Sequence, residues 1–373
     1  MRAKRVVVAM SGGVDSSVTA ALLKEEGYEV IGVTMQVWPS NRSADEVERF
    51  GGCCGLEAVK DARGVASRLD IPHYVLNFRD VFRRRVIADF CEEYKQGRTP
   101  NPCIRCNQHI KFDVLLNRAK QLDAAFVATG HYARIEHNRV SGRYLLKKGV
   151  DPSKDQSYVL YVMTQDQLKH TLMPLGEYTK EKTRETAQEL GLPVATKPES
   201  QEICFIPDDN YGKFLQEYVP EAARPGPILD KRGNILGRHR GILFYTIGQR
   251  KGLGISAKEP LYVVAIHREK NAIIVGSEGD VYADELVVSG ANWVAIEQLA
   301  EPMEVKAKIR YRHREAEATI TPMEKGNVYV KFREPQRAIT PGQAVVFYKG
   351  DVLVGGGTIL KTAIQQESGR AEQ

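Results

Sequence analysis

Long apolar runs are missing from this chain. No stretch of its 373 residues is apolar for long enough to span a bilayer, and the start has no secretory h-region. A membrane role is not expected, and the expected compartment is the cytoplasm. Cysteine is scarce: Cys53, Cys54, Cys91, Cys103, Cys106 and Cys204 are the only six. At this length so few argue against a disulfide scaffold and toward thiol or metal chemistry. Neither sign of charge dominates. The 53 basic and 47 acidic residues leave +6, which permits a polyanionic partner without requiring one. A Walker A ending of Gly-Lys-Ser/Thr does not follow the first Gly-rich loop. No second Cys-x-x-Cys exists to complete a four-ligand zinc site.

What is present begins with Val6-Val7-Val8-Ala9-Met10-Ser11-Gly12-Gly13-Val14-Asp15-Ser16-Ser17. A short apolar run reads as a buried strand and stops at a Ser-Gly-Gly turn. Helical spacing follows over Ser17–Lys24. A Gly loop feeding a helix N-terminus offers unpaired N–H groups, the positive pole of the helix dipole and a close backbone approach, which suits polyphosphate. An ordinary Gly turn with a Ser or Asp cap is the plainer alternative. The pattern resembles the PP-loop of ATP pyrophosphatases, which cleave ATP between its α- and β-phosphates. That resemblance implies ATP bound by Ala9, Met10, Ser11, Gly12, Gly13, Val14, Asp15 and Ser16, with Asp15 helping to hold Mg²⁺ on the pyrophosphate.

To about residue 130 apolar runs alternate with helical stretches. Strands are expected at 29–35, 73–78 and 124–130, and helices at 56–69, 80–95 and 108–122. This is the βαβ order of a doubly wound parallel sheet, whose ligands sit beyond the carboxyl ends of the strands. Met35 and Gly130 both end strands and are candidates to wall the adenine and ribose, although a core role suits Met35 equally. Asn41–Gly55, with Cys53 and Cys54, reads as a mobile polar loop, and Cys91 as plain packing.

In Gly97–Asn107 two prolines and a glycine exclude regular structure, and a helix is expected from about Gln108. Cys103 and Cys106 then sit at a helix N-terminus beside Arg105 and Lys111, which favours thiolates. A structural zinc, a redox dithiol, or a catalytic or cluster set all remain open. A third thiol, Cys204, lies in the loop-like Pro198–Pro207. A hairpin is expected over 132–147, a polar turn carries Lys154-Asp155-Gln156, and 164–191 reads as helical with Thr179 opening the last helix. From Pro225 the texture changes to short alternating strands. The expected domains are 1–208 (with about 165–190 free to pack as part of the central domain), a central 209–282, a small antiparallel barrel over 283–362 and a disordered tail at 363–373. Basic clusters at Arg83–Arg85, Arg238–Arg240 with Arg250 and Lys251, and Arg310-Tyr311-Arg312-His313-Arg314 make RNA a better partner than a small acid.

Six segments in this order resemble the bacterial tRNA-specific 2-thiouridylases: Ala9–Ser17, Gly97–Asn107, Thr129–Tyr132, Lys154–Tyr158, Glu202–Pro207 and Thr246–Gly254. The resemblance covers nearly the whole length. It implies a fold like the adenine nucleotide α-hydrolases, followed by a mixed β-rich central domain that binds tRNA, 209–282, and a β-barrel. It implies adenylation of C2 of a wobble uridine in tRNA of the lysine, glutamate and glutamine type. Sulfur would then come from a cysteine persulfide loaded by a sulfur carrier or cysteine desulfurase. Cys204 matches the persulfide position and Cys106 the nucleophile, with a Cys106–Cys204 disulfide left for reduction. Met35 and Gly130 match nucleotide-binding positions. Asn101, Pro102 and Cys103 match the segment at the target base; His131, Lys154, Asp155, Gln156, Arg310, Tyr311 and Gln343 match tRNA contacts. Cys103 departs from the more familiar Asp. With Cys106 and Cys204 it makes a three-thiol set, so a [4Fe–4S] cluster stands beside the persulfide as the sulfur carrier. A PP-loop ligase acting on a small metabolite, and an RNA-binding protein with a relic nucleotide fold, are the rival classes.

Overall fold

Val6, Val7 and Val8 are wholly buried because a parallel neighbour flanks them on each side. A computed structural model of the chain describes residues 3–37, 55–199, 203–206 and 210–362. All of the expected mobile loop Asn41–Gly55 except Gly55, Cys53 and Cys54 included, lies outside the described residues, and so does the expected tail at 363–373. The chain forms two compact units. One takes in the described residues of Met1–Ile87, Pro102–Asp209 and Gly350–Leu353; the other those of Ala88–Asn101, Asn210–Lys349 and Val354–Gln373.

In the first unit β1 (Arg5–Ala9), α1 (Val14–Glu25), β2 (Glu29–Gln36), α2 (Leu56–Arg68) and β3 (His73–Asn77) follow the expected alternation. A helix at Arg79–Phe82 runs on as a π turn over Arg83–Ile87. Next come α3 (Pro102–Cys106), a π segment over Asn107–Val114 and a helix over Leu115–Gln121. β4 (Phe126–Ala128), the hairpin β5 (Ala133–His137) and β6 (Tyr144–Lys148), the two-residue β7 (Thr171–Leu172) and α4 (Lys180–Glu189) complete the unit. The five-stranded sheet is parallel, in the order β3-β2-β1-β4-β7. Strands covered on both faces must be apolar throughout, which is why β1 and β2 read as continuous runs.

Two expectations need correcting. Residues 164–191 are not helical throughout. Thr171 and Leu172 pair with Val127 and Ala128, supplying the backbone partners that the edge of β4 lacks. Residues 97–107 are not irregular up to a helix at 108: α3 starts at Pro102, because proline's fixed φ and missing N–H cost nothing at a helix's first position.

The second unit is built of strands after the helix Tyr211–Tyr218. β8 (Gly226–Leu229), β9 (Ile235–His239), β10 (Tyr262–His267) and β11 (Ala272–Gly276) make a mixed four-stranded sheet, ordered β10-β11-β8-β9. β12 (Tyr282–Trp293), β13 (Met303–Lys308), β14 (Ala316–Pro322), β15 (Val328–Arg337), β16 (Ala344–Lys349) and β17 (Val352–Thr362) follow. They lie in the order β12-β15-β14-β13-β16-β17, and pairing of β12 with β17 closes them into an antiparallel barrel. Strict alternation fills its inside: Val305 and Ala307 point into a core with Ile320, Val330, Phe332 and Phe347, while Glu304 and Lys306 face out.

Candidate active site

The Gly loop sits at the carboxyl end of β1, as a doubly wound sheet requires of its ligand site. Gly12 adopts φ +68°, and a Cβ there would lie 2.3 Å from the Ala58 carbonyl oxygen in α2. Only glycine fits, so the loop is pressed flat by its own fold. Gly13 caps α1 without a side-chain bond, leaving the helix N-terminus open. Two serine hydroxyls brace the turn. Ser17 donates to the Gly13 carbonyl at 2.8 Å and Ser16 to the same oxygen at 3.2 Å, and the Ser11 N–H donates to Ser16 Oγ at 3.1 Å. Gly130 closes on the loop from β4, where a Cβ would lie 2.8–2.9 Å from Asp15 and the Ser16 nitrogen. Ala9, Met10 and Val14 are buried supports of the loop, and Met35 is half-buried at the end of β2.

Asp15 is the hub of a charged network. Its Oδ1 accepts from the Tyr132 hydroxyl at 2.8 Å and from Lys180 Nζ at 2.7 Å. Tyr132 also lies 3.0 Å from the Thr183 hydroxyl, and burial followed by the nearby Asp15 charge raises its pKa. Lys180 reaches Glu199 at 3.2 Å, and Glu199 also takes Lys154 at 2.8 Å. Burial pushes Glu199 up, but the Lys154 hydrogen bond and the Lys180 charge bring it below the usual glutamate range. Lys197 binds the Gly12 carbonyl at 3.2 Å and the Asp61 carboxylate. Sequence reading missed Tyr132, Lys180, Lys197 and Glu199 as site residues. The one local signal was the Thr179 cap, which places Lys180 in the first turn of α4.

The thiols are arranged differently from expectation. Cys103 stands in the first turn of α3, and Cys106 lies one turn on, inside the helical run, so the dipole argument applies to Cys103 and not to Cys106. Their spacing of three puts them on one face, Cys103 exposed and Cys106 half-buried. Cys204 is half-buried in the turn closed by the Ile206 N–H on the Ile203 carbonyl. The elements that carry both catalytic candidates meet one helical segment. α3 lies on the Arg83–Ile87 turn, and Phe205, beside Cys204, meets Phe82 edge-on at 5.7 Å between ring centres. A short path also joins Cys106 to the loop. Asn107 donates to the Val159 carbonyl at 3.1 Å, and the turn of Val159 follows Gln156. Gln156 Oε1 accepts from the Tyr132 N–H at 3.0 Å, and Tyr132 holds Asp15. Cys204 follows Glu199 by five residues, a tether of at most ~18 Å to a side chain bonded inside the network. Buried Cys91 is pushed up to about 12 and has no part in this.

Among the described residues, no three His, Cys, Asp or Glu side chains are gathered as a metal-holding group. Cys103, Cys106 and Cys204 are accordingly not gathered as such a group in this structure. Asp15 fits a lesser demand. Mg²⁺ is commonly held by one or two carboxylates plus substrate phosphates, and the Tyr132 and Lys180 bonds to Asp15 both fall on Oδ1.

The expected RNA contacts fall into two sets. In the first unit, buried Asp155 braces its own turn through Gly149 and Ser157, and Gln156 clasps Tyr132. His131 accepts at Nε2 from Lys111 at 3.3 Å, so Nδ1 carries the proton and donates to Thr129 at 2.7 Å. Burial first, then the Lys111 charge, hold this imidazole well below the usual histidine range. In the second unit Gln343 donates to the Thr99 carbonyl at 2.7 Å, which supports the stretch leading to Asn101. Arg310 donates to the Arg337 carbonyl at 2.7 Å, and Lys308 lies 5.8 Å from the centre of the Tyr311 ring. No described helix is long and apolar enough to cross a membrane.

Residues 4–208 match the family described as tRNA methyl transferase HUP domain, 212–277 its PRC-barrel domain, and 283–359 the aminomethyltransferase beta-barrel domain. The chain is 60% identical over 355 residues to tRNA-specific 2-thiouridylase MnmA 2 of Caldanaerobacter subterraneus subsp. tengcongensis, covering 95% of this chain and 97% of that protein. It is 56% identical over 359 residues to tRNA-specific 2-thiouridylase MnmA of Acetivibrio thermocellus, covering 96% and 100%. A solved structure described as a predicted subunit of tRNA methyltransferase from Methanocaldococcus jannaschii aligns at 20% identity. It covers 50% of this chain and 76% of that one with a TM-score of 0.30, too low to carry an argument.

Proposed function

We infer from the tRNA-specific 2-thiouridylase family, to which the chain belongs, that it is an ATP-dependent enzyme that replaces the C2 oxygen of a wobble uridine in tRNA with sulfur. The carrying observation is the match to 2-thiouridylases at 55–60% identity across almost the whole chain, PP-loop and barrel together. The words methyl transferase in the domain descriptions do not outweigh it, because each covers only a part.

The reaction read onto these residues runs in two stages. The uridine C2 oxygen attacks the α-phosphorus of ATP, the α–β bridging bond breaks, and pyrophosphate leaves. The open N-terminus of α1 and the flattened loop bind the phosphates. Mg²⁺, when bound, neutralises charge on the leaving pyrophosphate, and Asp15 is the residue placed to hold it. In the second stage the Cys106 thiolate attacks Sγ of Cys204 and breaks the persulfide S–S bond. This forms a Cys106–Cys204 disulfide and releases hydrosulfide, which adds to C2, expels AMP and loses its proton. A thiol reductant then restores both cysteines. The persulfide sulfur is supplied by a carrier protein or a cysteine desulfurase. The wobble base leaves the anticodon stack to reach the pocket. The common packing of α3 and the Phe205 turn on one helix, and the path from Asn107 to Asp15, support bringing thiols and nucleotide together.

The test uses Cys204→Ser with unmodified tRNA, ATP and a persulfide donor. Pyrophosphate release should persist while 2-thiouridine, measured by mass spectrometry of digested tRNA, falls below detection. Undiminished 2-thiouridine in that variant overturns the assignment. Pyrophosphate release by the unsubstituted protein that ignores tRNA and follows a small acid overturns the reaction.

A further inference from the structure

Lys180 is in the wrong place for helix stability. It opens α4, where the dipole disfavours a cation, and its side chain is only 11% exposed. The fold accepts this by setting two carboxylates against it, Asp15 at 2.7 Å and Glu199 at 3.2 Å. Lys197 is placed on the other side of the same loop, on the Gly12 carbonyl at 3.2 Å and the Asp61 carboxylate. An ammonium carries three donors. Among the described residues, each of these two ammonium groups has two oxygen partners, leaving one donor each beside a loop whose backbone is shaped for phosphate.

We propose that Lys180 and Lys197 are pyrophosphate-binding residues, which receive the β- and γ-phosphates of ATP and hold them as they leave. The proposal rests on the reaction above and adds residues to it. The third donor of each ammonium meets phosphate oxygen. Glu199 is already shared among Lys154, Lys180 and Arg184, so Lys180 can lean away from it without leaving a carboxylate unpaired. In the adenylation step the α–β bridging oxygen takes the electron pair of the broken P–O bond. The two lysines stabilise the charge that appears on the pyrophosphate, an interaction stronger in the transition state than in bound ATP.

Full-length Lys180→Met and Lys197→Met are titrated calorimetrically with sodium pyrophosphate in magnesium buffer, and separately with AMP. Each should bind pyrophosphate at least tenfold more weakly and AMP within twofold of the unsubstituted protein, with Lys180→Arg recovering most of the loss. A purely structural role distorts the loop and weakens both ligands alike; that outcome overturns the proposal, as does unchanged pyrophosphate affinity. Should Lys180→Met fail to fold, Lys197→Met alone carries the test, because among the described residues its ammonium bonds Gly12 and Asp61 and not the Asp15 hub. Thiolation of tRNA by the unsubstituted protein reports on the underlying reaction separately, so failure of one reading does not pass for failure of the other.

Discussion

Gly130→Ala adds a single methyl group at the point where β4's following loop presses on the phosphate turn. The ideal Cβ would lie 2.8 Å from the Asp15 carbonyl carbon, 2.9 Å from Asp15 Cβ and 2.9 Å from the Ser16 nitrogen. Ordinary contact begins near 3.4 Å, so about half an ångström must be found. None of the three obstacles is the end of a flexible side chain; two are backbone of α1's first turn and the third is fixed to it. The movement therefore falls on the helix N-terminus itself. Overpacking of this kind costs roughly 1–3 kcal/mol of stability. Its effect on function is larger than its effect on folding, because an offset of about 1 Å in a positioned group can cost on the order of a hundredfold in rate. We expect kcat/KM for ATP to fall about 10- to 100-fold in tRNA-dependent pyrophosphate release, while KM for tRNA stays within about threefold. A folded Gly130→Ala protein with an unaltered kcat/KM for ATP refutes the reasoning, since it would mean that the turn's position is not what holds the nucleotide.

Two further outcomes follow from the same geometry. Tyr132→Phe removes a hydrogen bond to an ionised carboxylate at 2.8 Å and leaves Asp15 to Lys180 alone. A bond to a charged group contributes roughly 1.5–3 kcal/mol, so kcat/KM for ATP should drop about 10- to 150-fold, and a change under twofold contradicts the hub role of Asp15. His131 is held neutral, with its folded pKa below the unfolded value of about 6.5. Below that pH the unfolded chain takes up the proton first. Stability is therefore full above pH 7 and declines by up to about 1.4 kcal/mol per pH unit as pH falls through 6.5 and below. His73 and His239 are shifted in the same direction and add to the slope. Denaturant unfolding between pH 7.5 and 5 should show a shallower slope in His131→Gln; an identical slope would exclude His131 as a contributor.

The strand, Gly loop and helix from Arg5 to Glu25 could be read from the chain because every cue is local: an apolar run, a turn, then helical spacing. The barrel strands could be read for the same reason, since alternation with period two is written into Met303–Lys308 itself. Thr171–Leu172 could not, because two residues carry no period and become a strand only when β4 offers an edge. The start of α3 was hidden by its own proline, which reads as a breaker from outside the helix and as a first residue from within it. Cys106 was thereby misplaced by a turn.

The order of residues along the chain already specified a strand, Gly loop and helix and the parallel sheet around them, since backbone preference and hydrophobic period act over a few neighbours. Folding added what no window of neighbours contains. Lys180 and Lys197 reach the loop from more than 160 positions away, Tyr132 ties its hydroxyl to Asp15, and the segments bearing Cys106 and Cys204 lie against one helix. Charges and thiols act over ångströms in space, and those distances come into being only when the sheet brings its strand ends together.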